Sequence, residues 1–291
     1  MNFDYTIIIP HKNTPELLKK CLDSIPDRDD VMTIVVDDNS SPDIVDFTNF
    51  PGLNKKNTRV VFDKSGKGAG NARNVALELV ENSKWLIFSD ADDFFTDYLP
   101  VAMDKYRNCD VDEVYFKRHS VYVNTNKPAT RHQRANNRLD KVIANNDYEY
   151  LLFKDLAPVC KFIKYEIVKN NNIRFESIKY GNDSMFFLDF AIHANKVMAD
   201  NHAIYVVTES ENSLTSAFNK EATQCRYDAA IRILHKEVQY GYGKYHPNLF
   251  SFCYRSYKAS FMLSVLYFFR GIKNTPIKYL FADLKSCLKS I

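Results

Sequence analysis

Four short apolar runs, each cut off by polar residues, punctuate the first ninety positions: YTIIIP (5–10), TIVVDD (33–38), RVVF (59–62) and WLIF (85–88). Runs of this length, apolar throughout and not alternating, are strands covered on both faces. Helical segments lie between them. In TPELLKKCLDSI (14–25), Thr14 suits an N-cap, Pro15 the first helical position and Glu16 the positive end of the helix dipole. In GKGAGNARNVALELVEN (66–82), positions 72, 75, 76, 79 and 80 share one helical face after a Gly-rich loop. Strand alternating with helix predicts an α/β fold with a mostly parallel central sheet. In such a sheet, ligands bind beyond the carboxyl ends of the strands.

Three of those ends are chemically distinctive: Pro10-His11-Lys12-Asn13, Asp37-Asp38-Asn39-Ser40 and Asp90-Ala91-Asp92-Asp93. Parallel strands bring all three to one edge. Three carboxylates within four positions repel one another, and some take up protons unless a cation intervenes. Oxygen-only ligands suit a hard divalent ion, Mn²⁺ or Mg²⁺. The alternative for Asp90 and Asp92 is the capping of a following turn. Asp37 reads as structural, tied to loop backbone. The glycines at 66, 68 and 70 fit neither GxxxxGK[ST] nor GxGxxG, so they read as turn formers at a helix entrance. His193 and His202 are lone histidines and carry no metal assignment.

Later segments are less regular. The stretch 118–150 is polar and rich in Asn and Arg, and reads as loop-heavy. AIYVVT (203–208) reads as one more strand, and from about 220 the pattern is helical and aromatic. Net charge is +3, which offers no argument for a nucleic-acid partner. The six cysteines show no CxxC spacing, so neither a zinc site nor a dithiol motif is indicated. They read as reduced, which places the protein in the cytoplasm. The N-terminus lacks a basic region and cleavage site, so no signal peptide is expected. The longest apolar run, 259–269, is too short to span a bilayer.

Taken in order, IIIPHKN, VVDDNSSPD, GKGAGNARNVAL and FSDADDFF resemble the nucleotide-binding half of family 2 glycosyltransferases, whose usual forms are VIIPxYN, VDDGSxD, GxxxxARNxA and LDxDD. PVCKFIKYEIVKNNNIRFES and YGNDSMFFLDF are similar to that family's W-x-K stretch, its F-x-E and its ED-x-x-F acceptor-side motif. The resemblance covers roughly 4–215. It implies a GT-A fold, a nucleotide-sugar donor (commonly UDP-linked), a divalent metal, inversion at the anomeric carbon and a glycan or lipid-linked acceptor. It implies that Pro10, His11 and Asn13 edge the uracil pocket, that Asp38 binds the uracil and that Arg73 frames the nucleotide. It further implies that Asp90 faces the ribose or the metal shell, that Asp92 coordinates the metal and that Asp183 is the catalytic base. Asp93 is left to a structural role.

The expected organisation is a GT-A catalytic domain at 1–215, divided into a donor half (1–117) and an acceptor half (118–215), followed by a helical, basic and aromatic extension at 216–291. Departures from the family pattern are His11 for Tyr, Asn39 for Gly, Asn182 for Glu, and Val159 or Cys160 where Trp is frequent. QxxRW is absent, which favours single-sugar addition over polymer extrusion. Residues 251–291 carry seven basic residues against the single acid Asp283, so 1–250 is net −3. That tail reads either as a peripheral contact with an anionic membrane or as helices packed on the catalytic domain or in a homodimer. Two other functions fit parts of the pattern. One is a haloacid-dehalogenase-type phosphatase or phosphotransferase with Asp90 as nucleophile, although Phe94 stands where that family wants Thr or Ser. The other is a non-catalytic nucleotide- or glycan-binding relative.

Overall fold

The computed structural model describes residues 3–209, 220–257 and 260–288. The strands are β1 (Phe3–His11), β2 (Val31–Asp38), β3 (Thr58–Asp63), β4 (Ser83–Phe88), β5 (Phe94–Phe95), β6 (Glu113–Tyr122), β7 (Lys161–Lys164) and β8 (Val197–Glu209). The helices among them are α1 (Pro15–Asp23), α2 (Ala69–Glu78), α3 (Leu99–Tyr106), α4 (Gln133–Asn145), α5 (Glu149–Lys154), α6 (Tyr165–Asn170) and α7 (Ser184–His193). Then come α8 (Lys220–Gln239), a single 3₁₀ turn at Gly243–Tyr245, α9 (Ser251–Tyr257), α10 (Phe261–Asn274) and α11 (Ile277–Leu288).

One sheet runs through the molecule in the order β3-β2-β1-β4-β7-β6-β8-β5. The first four strands in that order are parallel throughout. β7 reverses direction against both β4 and β6, β8 returns parallel to β6, and β5 closes the edge antiparallel to β8. Alternation explains why the first strands are apolar at every position. Tyr5, Ile7, Ile9, Trp85 and Ile87 face a core closed by Leu18, Leu22 and Met103 of α1 and α3. Ile8, Ile34, Val36, Leu86 and Phe88 face the opposite core, closed by Ala72 and Ala76 of α2 and by Phe186 and Phe190 of α7.

The structure departs from the sequence reading in several places. α2 ends at Glu78 rather than 82, with Leu79 as C-cap and Val80 buried beyond the helix. Thr14 takes the N-cap position of α1, but its side chain makes no capping bond. Its N–H instead donates to His11 Nε2 at 3.1 Å. The 118–150 stretch is not loop-heavy: it holds the second half of β6, a 13-residue helix α4 and the start of α5. β6 runs unbroken through the expected 117/118 divide, so the two halves share a strand. The expected 215/216 boundary lies outside the described residues. Beyond it, 220–288 is helical. α8 and α10 join through Tyr227 stacked on Tyr267 at 4.0 Å and Arg270 paired with Asp228 at 2.8 Å.

Candidate active site

The carboxyl ends of β1 and β2 are locked to each other. Asp37 is buried. It accepts from the Ser40 N–H at 3.0 Å, from the Ser40 hydroxyl at 2.5 Å and from His11 Nδ1 at 2.8 Å. Because Nε2 accepts from Thr14, the proton sits on Nδ1, and burial lowers the imidazole pKa, so the ring is held neutral. His11 therefore lies at the strand end with its side chain turned inward, against Phe50. Asn13 sits just beyond. Its side-chain oxygen accepts from the Ser41 N–H, and its own N–H donates to Ser40 Oγ, each at 2.8 Å. Pro10 is buried at the end of β1. Asn39, in the family's glycine position, has φ +57. Asparagine is the side chain that best tolerates this left-handed conformation, which accounts for the replacement.

Asp38 is almost fully buried, and both its oxygens accept from the Gly68 N–H, at 3.0 and 3.1 Å. Lys12 Nζ approaches it at 3.3 Å. Gly68 has φ +92, a turn conformation that glycine adopts without strain. Gly70 is different: a Cβ there would meet the Glu176 carbonyl oxygen at 2.5 Å. It permits close approach of α2 to the 176–182 segment, a role the turn reading did not contain.

α2 then joins the end of β4 to the 175–182 segment. Arg73 is buried. It donates to Asp90 Oδ1 at 2.6 Å and to Asn182 Oδ1 at 3.3 Å, while Phe175 lies 5.3 Å beneath its guanidinium. Its Nε is buried with no hydrogen-bond partner. Asn74 clamps the backbone of Phe175 with two bonds, 2.9 and 2.8 Å. Asn182 therefore keeps one function open to the expected Glu, as acceptor for Arg73.

Asp183 occupies the N-cap position of α7, yet its side chain makes no capping hydrogen bond. Burial raises its carboxyl pKa; the Arg73 charge opposes this, and Asp90 adds to it. Lys161, part of the W-x-K-like segment, is a further cation nearby. It is buried, pairs with Glu113 at 3.1 Å, donates to the Asp155 carbonyl at 2.7 Å and lies 4.4 Å from the ring of Phe187 on α7.

Asp90, Asp92 and Asp93 follow β4, and their carboxylate oxygens lie within 4.8 Å of one another. They are not equivalent. Asp93 is buried and accepts from the Thr208 N–H at 2.7 Å, which ties the strand end to β8. Loss of hydration, with its two acidic neighbours, raises its pKa well above the usual range. Asp92 reaches solvent, but crowding by protein and then by Asp90 pushes its pKa up to about 6. Asp90 is partly exposed, and its backbone N–H donates to the Tyr205 hydroxyl at 2.9 Å. Hard oxygen donors and a carboxyl whose ionisation is penalised fit a divalent cation held by Asp92 and Asp90.

Tyr205, Thr208, Asn74 and Lys161 were given no role in the sequence reading. Tyr205 and Thr208 lie in AIYVVT, which identified a strand but not its partner more than a hundred residues upstream. Of the two histidines left unassigned, His202 stacks on Tyr98 at 4.2 Å and pairs with Asp200, while His193 bonds the Asp189 carbonyl at 2.7 Å.

Residues 6–171 match the family model described as glycosyl transferase family 2. The chain is 24% identical over 222 residues to a poly(ribitol-phosphate) beta-glucosyltransferase of Bacillus spizizenii, covering 73% of this chain and 34% of that one. It is also 24% identical over 261 residues to a teichoic acid poly(glycerol phosphate) polymerase of Staphylococcus epidermidis, covering 80% and 34%. The chain thus spans about a third of the length of these relatives. Among solved structures, S. aureus TarS 1–349 in complex with UDP-GlcNAc superposes with TM-score 0.63 at 20% identity, covering 82% of this chain and 67% of that one. The mannosyltransferase PcManGT of Pyrobaculum calidifontis, in complex with GDP-Man and Mn²⁺, gives 0.54 at 15%, covering 98% and 79%.

Proposed function

The chain belongs to glycosyl transferase family 2 and has the GT-A fold, and from that premise we propose that it moves a single sugar from a nucleotide-sugar donor, a UDP-sugar, to a hydroxyl of a glycan or lipid-linked acceptor, with inversion at the anomeric carbon. The observation that carries this reading is the position of Arg73. It bonds Asp90 on the donor side and Asn182 on the acceptor side, next to Asp183. The locked ends of β1 and β2 form the rim for the nucleotide, with Pro10, His11 and Asn13 as its edge and Asp38 backing it. The His11 contribution is backbone, because its ring faces inward. The curated relatives, one of them named for teichoic acid, support a role in polysaccharide building.

Asp183 takes the acceptor proton as the acceptor oxygen bonds to the anomeric carbon. The bond from that carbon to the diphosphate oxygen breaks, and its electron pair leaves with the nucleoside diphosphate. Burial raises the proton affinity of Asp183, as suits a base, and the Arg73 charge opposes that rise. Asp92 and Asp90 would hold Mn²⁺ or Mg²⁺, which when bound supplies Lewis-acid neutralisation of the diphosphate. The phosphatase reading is not favoured, because Asp90 is engaged by Arg73 and the acidic strand end follows the fourth strand of a family 2 domain. A non-catalytic reading has only Asn182 and the missing Trp behind it. For the basic, aromatic segment 251–291 the reading is a contact with an anionic membrane surface on the cytoplasmic side, with packing on the catalytic domain or in a homodimer as the alternative.

The test is donor hydrolysis and transfer across a panel of nucleotide sugars, with UDP binding followed by calorimetry. Asp183→Asn is expected to lower turnover by about 10²-fold or more while UDP affinity stays unchanged. Full turnover by that variant would remove Asp183 as base. Turnover with GDP-sugars alone would overturn the UDP assignment.

A further inference from the structure

A cavity of about 700 Å³ lies along α4, outside the strand-end cluster. Arg134, Arg138, Lys141 and Asn145 line it at steps of four, three and four, so they stand on one helical face. Arg138 is anchored by donating to the Lys154 carbonyl at 2.5 Å. Arg134 and Lys141 are exposed. Of the nearby acids, Asp140 is taken by Lys117 at 2.7 Å, which leaves Asp147 as the one acid in the lining. The stripe continues towards the strand ends with Arg131, two positions before the helix. Its N–H donates to Glu209 at 2.6 Å, next to Thr208, whose hydroxyl donates to the Asp92 carbonyl at 2.8 Å. Thirteen residues of helix extend about 20 Å. A chain whose end sits at Asp92 and whose body follows α4 therefore meets a cation at nearly every turn. Guanidinium groups spaced this way recognise oxyanions, phosphates above all. Tyr150 is the lone aromatic in the lining, so the groove offers little flat surface for a neutral sugar polymer.

We infer that the α4 groove is the acceptor track, and that the acceptor is an anionic chain carrying phosphodiester groups. This rests on the glycosyltransferase reading and names the substrate class for that same site. The probe is a fluorescent synthetic glycerol phosphate oligomer, with a neutral dextran oligomer of similar length beside it. Anisotropy should show salt-sensitive binding of the first and not the second. Arg134→Ala with Lys141→Ala should weaken binding roughly tenfold and flatten its salt dependence. UDP affinity with Mn²⁺ should be unchanged in that double variant, which also reports that it is folded. Lys273→Ala with Lys278→Ala in the C-terminal extension should leave oligomer binding unchanged. Undiminished binding by the groove variant, loss in the extension variant alone, or equal binding of dextran would each overturn the inference. Groove-dependent oligomer binding by a chain that fails to bind UDP would overturn the donor assignment and leave the acceptor track standing.

Discussion

Asp92 and Asp93 are adjacent in the chain and chemically unlike. Asp93 faces inward to the β8 backbone, whereas Asp92 reaches solvent beside Asp90 with its pKa lifted to about 6, above the ordinary 3.8. A carboxyl raised in the folded state holds a proton that the unfolded chain has already released between those two values. Its contribution to stability is therefore fully present below about 4 and lost as pH rises through about 6. A divalent ion needs the ionised form, so the ion should restore that loss above pH 6 and do little below pH 5. Thermal unfolding in Mn²⁺ and in EDTA should show a Tm gap that opens as pH rises through 6. Asp92→Asn should close it. A gap of equal size at pH 5 and pH 8 would separate Asp92 from the metal. In the sequence, Asp90 and Asp92 also read as residues of a turn, and Asp93 as structural. The chain does turn there, with the Asp93 N–H donating to the Asp90 carbonyl at 3.2 Å, so this turn rather than strand alternation parts Asp93 from Asp92. The inward turn of His11 was not legible in the sequence, because it depends on Asp37 and Thr14 closing around one ring.

The second helix shows what tertiary contact adds at the scale of an element. The run ARN is readable as a motif, but the reason for each letter is spatial. Ala72 fits against the sheet, Arg73 spans two sides of the site, and Asn74 clamps Phe175. Gly70 lets all three approach, because the Glu176 carbonyl fills the space a Cβ would need. Gly70→Ala should cost about 1–3 kcal/mol, the usual range for overpacking. It should also weaken catalysis more than UDP binding, because the displaced 176–182 segment carries Asn182 and leads directly into Asp183. A variant with wild-type Tm and kcat would show that the contact relaxes freely. The 118–150 stretch illustrates the opposite difficulty. α4 buries only Leu139 and Val142 among thirteen residues, too few to mark a helical period. The first residue of β6, Glu113, is a charged residue buried on a partner, Lys161, far along the chain. Composition sees only polarity in both.

For the whole molecule, the telling quantity is where apolar surface remains uncovered. Ten of the sixteen exposed large hydrophobic side chains among the described residues fall within 254–281, with Phe261, Met262, Phe269, Ile277 and Phe281 each at least 64% exposed. The charges nearby have one sign. Lys273, Lys278 and Lys285 are exposed, Arg270 is spent on Asp228, and the single acid, Asp283, is buried against His246 at 2.8 Å. The side chains of Arg255, Lys258 and Lys289, which the sequence adds to this count, lie outside the described residues. No helix among the described residues is long and apolar enough to cross a bilayer. Aromatic side chains beside lysines suit the interface of an anionic membrane, where each lysine contributes about 1 kcal/mol and is screened by salt. The chain should co-sediment with phosphatidylserine-containing vesicles at low salt and not with phosphatidylcholine alone. Lys273→Ala, Lys278→Ala and Lys285→Ala together remove about 3 kcal/mol, close to a hundredfold in vesicle affinity. Phe261→Ser with Phe269→Ser should abolish binding at any salt, since charge alone does not hold the aromatic face to the surface. If anionic vesicles leave the protein in the supernatant and the phenylalanine variants instead convert a sedimenting dimer to monomer, the face belongs to a second copy of the chain rather than to a membrane.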